Sequence, residues 1–191
     1  PTLLHYLESV PAAAVSAGTL AFPVQWVNRP NANFRGFSGT VAQGSVSVGD
    51  PIRVTASGQT ARVKEIVTMG QSLQVAVAGD AVTLTMDHEL DISRGDVLSA
   101  ADRPLQITDQ FEAHLVWFSD ESGMPGRSYD IKLATQWATA SLTGIRDKID
   151  IGTLSPVPGR SMGPRESARC PLAISKPLVC DSYANSRTLG S

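Results

Sequence analysis

Phe34-Arg-Gly-Phe-Ser-Gly-Thr-Val-Ala-Gln-Gly-Ser-Val-Ser-Val-Gly-Asp50 decides how this chain is read. It reads as a strand, a bend and a second strand, with glycines at 36, 39, 44 and 49. Glycine accepts positive φ and lets neighbouring backbone come close. Such spacing suits bulges and the corners of a small, tightly curved β-barrel.

The strand pattern holds in both directions from this stretch. Upstream, Phe22, Val24 and Trp26 fall on alternate positions and predict a common face. Downstream, Val82, Leu84 and Met86 alternate with Thr83, Thr85 and Asp87, as in a half-buried strand. Turn chemistry recurs at short intervals, at Gly49-Asp50-Pro51, Ser57-Gly58, Met69-Gly70, Gly79-Asp80 and Arg94-Gly95-Asp96. Short strands between regular turns are what a closed antiparallel barrel requires. Arg94-Gly95-Asp96 mimics an adhesion tripeptide, but reads here as a turn.

Past Ala100-Ala-Asp-Arg-Pro104 the pattern restarts. Phe111, Ala113, Leu115 and Trp117 alternate with polar neighbours; Pro125-Gly126 predicts a turn; Ile131 and Leu133 begin another strand. Gln136 to Ile151 predicts two strands or one bent one. Ser155 to Ser167 has three prolines and two glycines and predicts a long loop. Arg169 to Cys180 predicts two short strands broken by Lys176-Pro177. Leu189-Gly190-Ser191 is turn-like and reads as leading into a further strand, so the second barrel is expected without its last strand.

At the other end, Leu3, Leu4, Leu7 and Val10 make one apolar stripe, the one convincing helical patch, with Thr2 as its N-cap. So short a helix is marginal alone, since nucleation is costly. It reads as the end of an absent upstream domain, followed by a small-residue linker from Pro11 to Gly18. The expected division is 1–18 as domain end plus linker, 19–103 as the first barrel and 104–191 as the second.

Composition narrows the function classes. Of 191 residues, 16 are Lys or Arg and 18 are Asp or Glu, for a net charge of −2, so no general basic character points to nucleic acid. The basic residues gather late, from Arg146 to Arg187, which reads as a solvated surface. No apolar run approaches the roughly 18 residues that cross a bilayer, and no basic-then-apolar leader is present. The expectation is a cytoplasmic protein with no membrane partner. The two cysteines, Cys170 and Cys180, have no metal-ligand spacing and read as buried thiols, with a disulfide between neighbouring strands as the alternative.

Several phrases carry a family resemblance. The glycine-spaced opening stretch resembles the second domain of translation-factor-type GTPases. Phe22-Pro-Val-Gln-Trp-Val-Asn-Arg-Pro30 with Phe34-Arg-Gly-Phe-Ser-Gly39 is similar to the large, GTP-dependent subunit of bacterial sulfate adenylyltransferase. Glu89-Leu-Asp-Ile-Ser-Arg-Gly-Asp-Val-Leu98, Asp109-Gln-Phe-Glu-Ala-His-Leu-Val-Trp117 and Pro125-Gly-Arg-Ser-Tyr-Asp-Ile-Lys-Leu133 support it. Pro1-Thr-Leu-Leu-His-Tyr-Leu resembles the end of that subunit's GTPase domain. The resemblance implies an all-β chain of two consecutive translation-factor-type antiparallel barrels. It also implies a parent that hydrolyses GTP, with Mg, to drive a catalytic small subunit making adenosine 5′-phosphosulfate from ATP and sulfate. Some members add an adenylylsulfate kinase domain. The expected partners are a GTPase domain of the same parent chain and the catalytic subunit; nucleic acid is not expected. The alternative is a barrel fragment of an elongation-factor-like GTPase that binds tRNA or the ribosome.

These residues do not read as the bond-making ones. A phosphate-binding loop needs Gly-x4-Gly-Lys-Ser/Thr, and none of Lys64, Lys132, Lys148 and Lys176 follows a glycine. Neither an Asn-Lys-x-Asp motif nor a Ser-Gly-Gly-x-Asp-Ser loop occurs. His5, His88 and His114 stand far apart in sequence, and Asp87, Glu89 and Asp91 around His88 read as a solvated acidic turn rather than a cation site. No catalytic, cofactor or metal residue is therefore expected. Trp26, Trp117 and Trp137 are expected to be core or interface aromatics. The functional candidates are Asn28, Arg29, Asn31, Phe34 and Arg35, placed in the loop after the first strand. Arginine and aromatic residues favour interfaces, so they are expected to meet the GTPase domain or the catalytic subunit.

Overall fold

The computed structural model describes residues 2–9, 18–31, 34–150 and 152–190. Helix α1 (Leu3–Ser9) starts where His5 N–H bonds the Thr2 hydroxyl at 3.3 Å, so Thr2 is the cap that its chemistry suggests. Pro1, Val10 and most of the linker, residues 11–17, lie outside the described residues.

Nine strands build the first unit: β1 (Ala21–Asn31), β2 (Phe34–Thr40), β3 (Ser45–Ser47), β4 (Pro51–Val54), β5 (Thr60–Thr68), β6 (Gln71–Leu73), β7 (Val75–Val77), β8 (Ala81–Met86) and β9 (Val97–Ala100). The ladder runs β4-β9-β1-β2-β8-β5 and returns from β5 to β4, so six strands close a ring. Alternation fills it. Phe22, Val24, Phe37, Ile52, Ile66, Leu84 and Leu98 point inward and are fully buried. Each of these large side chains contributes about 1.5–3 kcal/mol by leaving water.

Trp26 departs from the expected common face with Phe22 and Val24. Val24 pairs with Gly39 and Trp26 with Ser38, so Gln25 is an extra residue and the alternation changes phase. Trp26 is 62% exposed, and Val27 packs on the core instead. Of the opening glycines, Gly44 and Gly49 take positive φ (70° and 90°) in turns. Gly39 serves a different need: a Cβ there would collide with the carbonyl oxygen of Pro23.

The second unit contains β10 (Ile107–Val116), β11 (Ser128–Leu133), β12 (Gln136–Leu142), β13 (Asp147–Ile149), β14 (Pro156–Val157) and β15 (Ser167–Val179). Its sheet runs β11-β12-β15-β13-β14, with β10 on the other edge of β15. Unlike the first unit, no pairing among the described residues closes this ring. Phe111, Ala113, Leu115 and Ile131, on β10 and β11, are only half-buried, whereas Leu142, Ala168 and Cys170 are fully buried.

Three expectations are refined here. Gln136 to Asp150 resolves as two strands, β12 and β13, with Ile151 outside the described residues. Arg169 to Cys180 is not two broken strands but most of the single strand β15. Its register against β10 shifts between Thr108 and Gln110, leaving Ile174 to Pro177 outside that ladder, so Pro177 forfeits no bond there. The Pro-rich stretch from Ser155 to Ser167 is partly anchored. Val157 pairs with Lys148, Met162 bridges Gly123, and Met162 is fully buried against Cys170, Sγ to Sδ 3.7 Å.

A third apolar cluster lies between the units: Ala21, Val97, Val179 and Leu189, with Leu105 against them. Both thiols are free, and burial pushes Cys170 and Cys180 above the usual range. No described helix is long and apolar enough to cross a membrane.

Candidate partner-contact site

The five candidate residues do not sit in a loop. β1 runs on to Asn31 and β2 starts at Phe34, so Asn28, Arg29, Asn31, Phe34 and Arg35 belong to the two strands of a hairpin, whose tip (residues 32–33) is outside the described set. Asn28 pairs with Gly36 and Asn31 with Phe34, with a register shift between. β1 is eleven residues long, and its last seven are exposed or half-buried. The hairpin therefore extends beyond the packed ring.

The side chains have distinct surroundings. Arg29 Nη2 lies 3.3 Å from Glu89 Oε1, with both side chains largely exposed, so the pair adds little to stability. Arg35 Nη2 donates to the Ile92 carbonyl at 3.4 Å, and its guanidinium lies 5.5 Å from the Phe37 ring centroid. Phe34 is half-buried beside Gly36, where a Cβ would come within 2.8 Å of the ring and 2.5 Å of Thr83. Only glycine lets the ring lie down there.

Phe34 and Arg35 open onto a cavity of about 310 Å³ between β2, β5 and β8, whereas Asn28, Arg29 and Asn31 do not line it. Its other walls include Lys64, Glu65 and Thr85, which sequence reading passed over. The signal was there: apolar positions step by two from Ala61 to Val63 and then by three to Ile66, the trace of an inserted residue. At the rim, Asp87 Oδ1 accepts from the Arg62 N–H at 2.9 Å and lies 2.7 Å from His88 Nδ1. The Arg62 amide, more than His88, holds the Asp87 carboxyl below its usual range. His5 and His114 are not part of this region; His114 pairs with Arg169 across the second sheet.

The tryptophans divide. Trp117 packs edge-on to Tyr129 (centroids 5.3 Å apart) and donates Nε1–H to the Glu121 carbonyl at 2.6 Å. Trp26 and Trp137 are exposed, the latter with Lys132 Nζ 5.6 Å from its ring centroid.

Comparison with known proteins places this geometry. Residues 37–99 match the model of elongation factor Tu domain 2, and residues 110–191 that of the GTP-eEF1A C-terminal domain-like family. The structure of sup35 complexed with GDP superposes with a TM-score of 0.85 at 19% identity, over 99% of this chain and 47% of that one. The fold is thus the paired β-barrel arrangement of translation-factor-type proteins.

Among proteins of known name, sulfate adenylyltransferase subunit 1 of Chromobacterium violaceum is 44% identical over 195 residues, covering all of this chain and 40% of its own length. The bifunctional enzyme NodQ of Rhizobium sp. (strain N33) is 44% identical over 193 residues, covering all of this chain and 30% of that protein. Along its whole length this chain is similar to a part of sulfate adenylyltransferase subunit 1. It spans between 30% and 41% of the length of the relatives it matches.

Proposed function

We propose that this chain braces a GTP-hydrolysing domain of its parent against the catalytic subunit of a cytoplasmic sulfate adenylyltransferase. In this reading the parent uses GTP with Mg and its partner uses ATP and sulfate, while the barrels make and break no bonds. Coupling of this kind works by differential contact: an interface that fits one nucleotide state better than the other shifts the population toward it. The 44% identity of all of this chain to part of the sulfate adenylyltransferase subunit 1 of Chromobacterium violaceum carries the proposal. What supports this face is a hairpin extending past the ring, with Asn28, Arg29, Asn31, Phe34 and Arg35 along it.

The test is charge reversal at Arg29 and Arg35 in the parent chain together with its catalytic subunit. Losing rim charges of this kind is expected to weaken association by about tenfold and reduce GTP-dependent stimulation. Unchanged assembly and unchanged stimulation remove the proposal.

A further inference from the structure

The wall of the first ring breaks its in-and-out alternation at Val63-Lys64-Glu65-Ile66. Val63 pairs with Met86 and Glu65 with Thr85, so Lys64 is an additional residue and the strand bulges. Both charged side chains therefore stand on the outer surface, side by side. Opposite charges at neighbouring positions invite an ion pair, yet neither side chain makes a hydrogen bond or ion pair among the described residues. Both face the cavity bounded by Phe34.

The other charges around that cavity are already engaged. Asp87 is held by Arg62 and His88, Glu89 by Arg29, and Arg35 by the Ile92 carbonyl and the Phe37 ring. Lys64 and Glu65 remain, one donor and one acceptor. On the adjacent strand, in register with Glu65, is Thr85, only 7% exposed, whose buried hydroxyl has no hydrogen-bond partner among the described residues. A buried hydroxyl without a partner is costly, and a ligand atom that reaches it recovers that cost. Buried Met86 and Leu90 and the half-buried Phe34 ring give the same cavity an apolar side.

We propose that this cavity binds a small dipolar molecule, one carrying an ammonium and a carboxylate on a short apolar body, of the class of free α-amino acids. Glu65 accepts from the ammonium, Lys64 pairs with the carboxylate, Thr85 completes its hydrogen bond, and the apolar body lies against Phe34, Met86 and Leu90. A simple anion would meet Glu65 unpaired, and a simple cation would meet Lys64 unpaired; a dipolar ligand satisfies both. This site needs no second protein and does not depend on the docking proposal.

The test is an amide NMR titration of the 191-residue chain with phenylalanine and leucine, set against phenethylamine and phenylpropionate, which each keep one of the two charges. Saturable shifts at Phe34, Lys64, Glu65 and Thr85 are expected with the zwitterions. The single-charge analogues, and the variants Lys64→Met and Glu65→Gln, should each bind about tenfold more weakly, the loss of one charge-assisted hydrogen bond. Both variants alter exposed side chains, and unchanged spectra away from the cavity will show that the fold is intact. No saturable shift at these four residues, analogues as tight as the zwitterions, or variants that bind as tightly as the parent would each overturn the proposal.

Discussion

The carboxamide of Gln136 makes both of the hydrogen bonds that a neighbouring strand would offer Val179. Nε2–H donates to the Val179 carbonyl at 2.8 Å, and Oε1 accepts from the Val179 N–H at 2.8 Å. Both residues are buried, and Val179 belongs to the apolar cluster between the two units. A side chain thus completes the backbone pairing where β15 ends.

Gln136→Leu keeps the volume and removes both bonds. An orphaned buried backbone group costs about 1–3 kcal/mol, and this change orphans two. A drop in the urea midpoint at unchanged slope is the expected result. Gln136→Glu, which keeps an acceptor but sets a carboxylate against the Val179 carbonyl, should also destabilise.

Arg169 binds Asp147 through both its Nε and Nη2 groups and also lies 3.7 Å from Glu112. Its guanidinium holds the Asp147 carboxyl below the usual range. A carboxylate depressed in the folded state contributes stability above its unfolded pKa, about 3.9, and that contribution is lost as pH falls through the folded value. Stability measured from neutral pH into acid should therefore fall less steeply for Asp147→Asn than for the parent below about pH 4. Equal acid limbs would show that the pair is balanced in the unfolded chain.

Gly39 and Gly126 should respond differently to alanine. At Gly39 the new Cβ meets the fixed carbonyl oxygen of Pro23, an overpacking cost of about 1–3 kcal/mol or more. At Gly126 the space is open and only the left-handed backbone (φ 85°) resists, for about 1–2 kcal/mol. Thermal melts of the two variants should rank Gly39→Ala as the less stable.

Met162 should behave as a core residue although it lies in a stretch of loop-like composition. Met162→Ala is expected to cost about 2–5 kcal/mol, against nearly nothing for a solvated loop. Native thiol labelling gives a parallel check: half-buried Cys180 should react before fully buried Cys170.

Strand alternation and turn chemistry made most of the architecture legible, because Phe22, Val24, Val82, Leu84 and Met86 each occupy the face their spacing assigns. One kind of misreading comes from bulges. At Gln25 and at Lys64 an inserted residue changes the phase, and a period-two reading carried through a bulge puts Trp26 inside. Met162 was hidden for another reason: local Pro and Gly content describes backbone freedom, while its burial comes from Gly123 and Cys170, distant partners in the chain. Of the candidate contact residues, type and neighbourhood were readable, but their place on a long hairpin was not. Lys64, Glu65 and Thr85 become neighbours of Phe34 only once β2, β8 and β5 are laid side by side.

The two units bear load in different ways. In the first, six strands form a hoop, so loosening one ladder leaves every strand still gripped along its other edge. In the second, β15 is a keel to which β10, β12 and β13 are each fastened. Pulling out that one strand would scatter the others together, so its amides should be the last of that half to surrender their protons to heavy water.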